Sequence, residues 1–302
     1  MSLGIDLSPN LKQCNFDCLY CELAPMATTD AQTEALHVEE IINQLQQHLD
    51  DTIDVITLTA NGEPTLYPYL SELIDAIDTI KGDKETLILT NSATLSQKEV
   101  FETLLKLDQV KLSLDAISSD VFKKIDRPHQ SFHVENIVKS VIAFSKKFRG
   151  KLFIEILFVK GLNDSTEEIA KLNDVLLQLQ NIQRVDIGTI DRPPAYPVEG
   201  INYKELYDIS LHFDASLPIH IASRKDAKGS SAHYSDEEIL NTLDKRPLTL
   251  DDIELLFDTD SKERLHVMLD SKQLVKKIVG NLEFIIPQEN LKRKRKREVS
   301  PL

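Results

Sequence analysis

Short runs rich in Val, Ile and Thr alternate with longer stretches at helical period, and this alternation limits the fold more than any other feature of the chain. Strand patterns fall at 3–7, 53–59, 86–89, 110–114, 152–159 and 184–190, with helical patterns between them at 38–49, 69–81, 97–107, 132–147 and 166–179. Repeated βα units imply a parallel sheet with right-handed crossovers, covered by its helices. Six such strands predict an α/β fold of the open, partial (β/α)6 barrel kind. Ligands of such folds sit at the carboxyl ends of the strands.

The loop after the first strand holds every cysteine of the 302 residues: Cys14, Cys18 and Cys21, in "CNFDCLYC". An odd number, with nothing else to pair, argues against a disulfide framework. A zinc site wants a fourth Cys or a His close by, and the nearest histidine is His37. Iron–sulfur ligation suits the set better. Each thiolate takes one iron of a [4Fe-4S] cluster, so three thiolates leave one iron open to a chelating molecule.

Cys14-Asn15-Phe16-Asp17-Cys18-Leu19-Tyr20-Cys21 resembles the C-x3-C-x2-C signature of radical S-adenosylmethionine (SAM) enzymes, including the aromatic Tyr20 before the last cysteine. The resemblance implies a [4Fe-4S] cluster on the three cysteines and SAM on its open iron. It implies reductive cleavage of SAM to a 5′-deoxyadenosyl radical, and an electron donor such as flavodoxin or ferredoxin. The opening "SLGIDLSPNLKQCNFDCLYCEL" and the run through "DRPPAY" look most like the wyosine-synthase-like branch, over about residues 1–225. That branch modifies a guanosine of transfer RNA. Its characterised members carry further cysteines for a second cluster, and this chain has none.

The other strand ends supply candidates for the SAM site. Asn61-Gly62-Glu63-Pro64 resembles the family's Gly-Gly-Glu stretch, where backbone and acid receive the SAM ammonium; as a bare pattern it also reads as an Asn-Gly turn. Asn91, in "LTNSAT", resembles a Thr-Asn-Gly stretch, with Ser92 where Gly is frequent. Ser113 and Asp115 share one face by period two and suit a ribose or a carboxylate; a solvent-facing strand edge would look the same. "FVKGLND" offers Asn163, with Asp164 as the cap of the next helix. Arg127 and Arg192 each precede a proline, which favours extended backbone. Arg192 follows the sixth strand, where its planar fork suits a substrate carboxylate or phosphate, or a surface ion pair. No catalytic acid, base or hydrogen-atom donor can be singled out.

Charge argues against a broad nucleic-acid face. Through Leu291 the chain holds 29 basic and 48 acidic residues, a net of −19, and "KRKRKR" at Lys292 to Arg297 returns six positive charges. Such a tail reads as a solvated, disordered run or as a contact to RNA phosphates or an acidic membrane surface. With no signal peptide and no apolar run near membrane-spanning length, a soluble cytoplasmic protein is expected, with no membrane partner. The polar, glycine-containing stretch near 226–235 predicts a linker. Helical patterns at 236–243, 250–257 and 262–269, then two apolar runs about Gly280 and Asn281, predict a winged-helix-like domain over 236–287, followed by a basic tail at 288–302. The family resemblance implies transfer RNA or a protein as the substrate. Two other functions compete: a radical activase acting on a glycyl-radical partner protein, and a metal-sensing DNA-binding regulator.

Overall fold

The computed structural model describes residues 1–221, 231–245, 247–279 and 282–289. The linker up to residue 230, the turn at Gly280 and Asn281, and the Lys292 to Arg297 tail lie outside the described residues. The chain divides into two compact units, Met1–Ile190 with Ala195–Ser223, and Asp191–Pro194 with Arg224–Leu302.

In the first unit β1 (Ser2–Asp6), β2 (Val55–Thr59), β3 (Glu85–Thr90), β4 (Gln109–Ser113), β5 (Lys151–Phe158), β6 (Ile182–Thr189) and β7 (Ile219–Ile221) form one sheet in chain order. Every neighbouring pair is parallel. The connections carry α1 (Val38–His48), α2 (Leu70–Ile80), α3 (Lys98–Leu104), α4 (Ser119–Ile125), α5 (Val134–Lys147), α6 (Thr166–Leu176) and α7 (Tyr203–Ser210). Among the described residues the sheet thus has seven strands where the sequence pattern predicted six. The extra strand, Ile-His-Ile, is too short to show a period. It adds to β6 through Val185–Ile219, Asp186–His220 and Ile187–Ile221.

Period two divides the sheet's faces. On β5, Leu152, Ile154, Ile156 and Phe158 are fully buried, whereas Phe153, Glu155 and Leu157 are half-buried. The buried face meets apolar helix stripes such as Leu70, Leu73, Ile74 and Ile77 of α2 and Ile137, Val141 and Phe144 of α5. The opposite face carries Lys111, Ser113, Glu155 and Asp186 at successive strands, so polar groups line the inside of the sheet. Ser165, not Asp164, caps α6 by accepting from Glu168 N; Asp164 instead accepts from Gly161 N at 3.0 Å and closes the preceding turn.

The second unit contains α8 (Asp236–Lys245), β8 (Leu248–Thr249), α9 (Leu250–Leu256), α10 (Thr259–Asp270), β9 (Leu274–Val279) and β10 (Leu282–Pro287). The strands pair antiparallel in the order β8-β10-β9. Ile239, Leu243, Phe257, Leu265 and Ile285 meet in a core of its own. Thr249 and Asp252 cap α9 reciprocally, and Asp258 caps α10. No helix among the described residues is long and apolar enough to cross a membrane.

Candidate functional site

The segment between β1 and α1 carries the cysteines, and Gln13 holds it in shape. The Gln13 side chain is buried. Its Oε1 accepts from Thr33 N at 2.6 Å and Glu34 N at 3.0 Å, and its Nε2 donates to Ser8 Oγ and the Glu34 carbonyl, both at 2.9 Å. The Gln13 backbone pairs with the end of β2: Gln13 N donates to Asn61 O at 2.9 Å and Glu63 N to Gln13 O at 3.0 Å. On the far side Asp17 N and Leu19 N donate to the carbonyls of Asp126 and Ile125 at the C-terminal end of α4. The cysteine segment is thus stitched to the ends of two βα units.

Cys14, Cys18 and Cys21 line one cavity of about 190 Å³ together with Tyr20, Gly62, Glu63, Asn91 and Ser113; Lys111 and Glu155 form part of the same wall. Burial pushes all three thiols up. Cys14 rises to about 12, with the Glu63 carboxylate adding to the effect. Cys18 goes well above its ordinary value, with Asp126 second to burial as a cause. Cys21 rises too, but Lys12 opposes the shift. Loading a metal here therefore means displacing protons from the thiols.

The other predicted residues separate into those that reach the cavity and those that hold it. The Tyr20 hydroxyl donates to Asp115 Oδ2 at 2.5 Å, while Asp115 Oδ1 accepts from Leu157 N at 2.7 Å. Burial pushes Asp115 up to about 7 and Tyr20 well above its usual range. Asn91 Nδ2 donates to Asn15 Oδ1 at 2.5 Å and lies 3.9 Å from Cys14 Sγ. Ser92 takes the left-handed conformation, φ 69°, which explains why glycine suits that position.

Glu63 lines the cavity and has a structural role beside the expected one. Its carboxylate accepts from Thr65 N, Thr65 Oγ1, Thr90 Oγ1 and Asn91 N. Three of these donors crowd Oε1 and only Asn91 N meets Oε2, so Oε2 keeps acceptor capacity for one further donor. The acid also ties the end of β2 to the end of β3. Asn163 differs from expectation: fully buried, it accepts from Val159 N and donates to the carbonyls of Asp115 and Leu157, so its amide is spent on joining β4 to β5. Asn61 lies behind the cysteine segment, its backbone N donating to Asp6 Oδ1 and its side chain to Pro9 O. Arg192 falls in the second unit and pairs with its neighbour Asp191 at 3.9 Å. Arg127 has φ 47°, not the extended backbone expected, and its guanidinium lies 3.4 Å from Asp17.

Sequence reasoning missed several groups. Lys12 reaches Cys21 Sγ at 3.7 Å, and Asp126 accepts from Cys18 Sγ at 3.5 Å. Lys111 bridges Glu155 at 2.8 Å and Asp186 at 3.0 Å, and Asp186 also holds Arg184 at 2.7 Å and His220 at 3.0 Å. Lys111 was within reach of the sequence, since it shares the face of Ser113 and Asp115 by period two. Asp126 was not, because only the fold brings it to Cys18.

The donor set fits an iron–sulfur cluster. Among the described residues no three His, Cys, Asp or Glu groups close on a single-ion site; a cluster asks instead that each thiolate take its own iron. Among the described residues the buried side-chain atoms left without a hydrogen-bond partner are Asn15 Nδ2 and Asp17 Oδ1, both within the cysteine segment. An unpaired buried amide is costly unless some acceptor completes it, and the sulfurs of a cluster are acceptors of that kind.

The model of the radical SAM superfamily matches residues 11–172. The UPF0026 protein of Helicobacter pylori is 38% identical over 287 residues, which cover 94% of this chain and 92% of that protein. The GTP 3′,8-cyclase of Helicobacter pylori is 29% identical over 227 residues, 75% of this chain and 67% of that enzyme. The crystal structure of Streptococcus suis SuiB bound to S-adenosylmethionine has the same fold, with TM-score 0.57 at 21% identity over 74% of this chain; the match spans 50% of the SuiB chain. A family match over more than half of the residues, on a parallel α/β sheet with the cysteine motif at the carboxyl ends of its strands, makes this chain an enzyme of the radical SAM superfamily, whose cofactors are SAM and an iron–sulfur cluster.

Proposed function

We propose that this protein cleaves SAM reductively at a [4Fe-4S] cluster held by Cys14, Cys18 and Cys21, and that its substrate is a base of transfer RNA. The observation that carries the first part is the single cavity shared by the three thiols with Tyr20, Asn91 and Ser113. When bound, the cofactors supply one electron from the cluster to SAM, giving methionine and a 5′-deoxyadenosyl radical. The chain's own residues orient and enclose. Gln13 and Glu63 fix the cysteine segment against β2 and β3. Half-buried Tyr20 and buried Asp115 form a polar pair at the ends of β4 and β5. The transfer-RNA part rests on the likeness of the cysteine segment and the "DRPPAY" run to the wyosine-synthase-like branch.

A flavodoxin- or ferredoxin-type protein serves as electron donor, and the second unit is a winged-helix-like docking module with no part in the radical chemistry. The test is anaerobic reconstitution with iron and sulfide, then SAM and dithionite, with and without transfer RNA. About four irons per chain, an EPR signal that changes on adding SAM, and 5′-deoxyadenosine as product are expected. Zinc bound in place of iron under anaerobic conditions overturns the cluster assignment. Cleavage of SAM with unmodified transfer RNA overturns the substrate alone.

A further inference from the structure

The three cysteines face three different groups. Cys14 Sγ accepts from Phe16 N at 3.4 Å, Cys18 Sγ donates to the Asp126 carboxylate at 3.5 Å, and Cys21 Sγ accepts from the Lys12 ammonium at 3.7 Å. The Lys12 side chain is only 8% exposed and the Asp17 side chain 9%, with 3.8 Å between their charges. Asp17 is itself anchored: its Oδ2 accepts from the Tyr196 hydroxyl at 2.5 Å and meets Arg127 at 3.4 Å, and the Arg127 guanidinium stands 4.6 Å over the Tyr196 ring. Lys12 is thus a nearly buried cation with a thiol on one side and an immobilised carboxylate on the other.

We propose that Lys12 is a positioning residue that sets how readily the cysteine site accepts an electron, with Asp17 holding it in place and partly offsetting its charge. The inference rests on the reading that a cluster is bound to Cys21. One electron passes from an external low-potential donor to the cluster, adding one negative charge; no bond to Lys12 forms or breaks, and no proton moves. A fixed cation against a ligating sulfur favours the more negative state, and charge and hydrogen bonds at the sulfurs are among the levers that set cluster potentials. In a site this dry the interaction is weakly screened. The Lys12 ammonium meets Cys21 directly, while its charge also reaches Cys14 as a lesser influence.

The experiment is an EPR-monitored redox titration of the anaerobically reconstituted full chain, with iron per chain determined for every variant. Lys12→Met makes the one-electron reduction less favourable by about tenfold or more, which is about 59 mV towards lower potential. Lys12→Arg keeps the cation and stays near the parent. Asp17→Asn removes the offsetting charge and shifts the potential the opposite way. The inference is wrong if Lys12→Met and Asp17→Asn both titrate with the parent, or if Asp17→Asn moves in the direction of Lys12→Met. Where Lys12→Met takes up no iron, the direction of Asp17→Asn decides alone. A parent chain without iron defeats the cluster reading, whereas a loaded parent with unmoved variants defeats only the role of Lys12.

Discussion

Gly62 lies so close beneath the carbonyl of Gln13 that a Cβ on it would come within 1.9 Å of the Gln13 oxygen. Its φ of 134° is also one that side-chain-bearing residues rarely adopt. The residue after Gln13 is Cys14, so the missing side chain fixes where the cysteine segment begins. Gly62→Ala should cost about 3 kcal/mol or more through the clash and the strained backbone. It should also lower iron uptake, because Cys14 moves with Gln13. Thermal unfolding and iron content of the reconstituted variant check both effects; a variant as stable as the parent shows that the two backbones are not in contact.

Glu63 gives a second, separable prediction. Glu63→Gln places an amide NH₂ against groups that already donate, so about 2–3 kcal/mol of stability should go. SAM binding should weaken with it, since β2 and β3 lose their tie. Thr90→Val removes one donor without touching the acid, and should reproduce part of both effects. If Thr90→Val leaves SAM affinity intact while Glu63→Gln abolishes it, the acid contacts SAM directly.

These residues show what a sequence can and cannot tell. The cysteine motif was legible because its spacing is local, and the place of Ser113 on the polar face because strand alternation is local. Asn163 looked like a ligand-binding residue because a polar residue at a strand end has the same appearance whether it meets a ligand or three backbone groups. Its partners at Asp115 and Leu157 become neighbours only through the pairing of β4 with β5. Lys12 was overlooked for a similar reason, since no periodicity links a lysine in an irregular loop to a thiol nine residues on. The βα order was readable from long elements; β7 and α4 are too short to show a period.

Asp115 supplies a pH dependence. Burial pushes its carboxyl from 3.8 up to about 7. Between those values the native state holds a proton that the unfolded state has released, so stability falls as pH rises through roughly 4 to 7. The groups facing it are the Tyr20 hydroxyl and Leu157 N, with the charges of Glu155 and Asp126 nearby. Asp115→Asn keeps an acceptor for Leu157 N and removes the titration. Denaturant midpoints measured under reducing conditions at several pH values should slope less steeply for the variant than for the parent, since the buried Asp126 carboxyl is also raised and remains.

Asp186 is the hub of the ion pairs inside the sheet. Burial would raise its carboxyl, but Arg184 and Lys111 outweigh that and hold it below its ordinary range. Its contribution is therefore present above the usual carboxylate range and is lost as pH falls beneath it. Asp186→Asn should cost about 2 kcal/mol, less than a wholly buried pair, because Arg184 and His220 stay half-exposed. A double-mutant cycle with Arg184→Gln should give a coupling of about 1 kcal/mol; a coupling of zero means that Lys111 and His220 carry the interaction.

The second unit should fold by itself. Its core residues Ile239, Leu243, Leu248, Ile253, Phe257, Leu265 and Ile285 pack against one another, and the Tyr234 ring stacks on Phe257 at 4.5 Å. Thr249 and Asp258 cap α9 and α10 from within the unit, and Ala232 pairs with Phe257. A fragment of residues 231–289 contains every one of these core residues. A domain this small is marginal, so a stability of only a few kcal/mol is expected. Circular dichroism of the isolated fragment should show a cooperative thermal transition, and Phe257→Ala should abolish it, because truncating a buried Phe costs about 3–5 kcal/mol. A fragment with helical signal but no cooperative melt shows that these elements need the rest of the chain, and the proposal of an independent docking module falls with it.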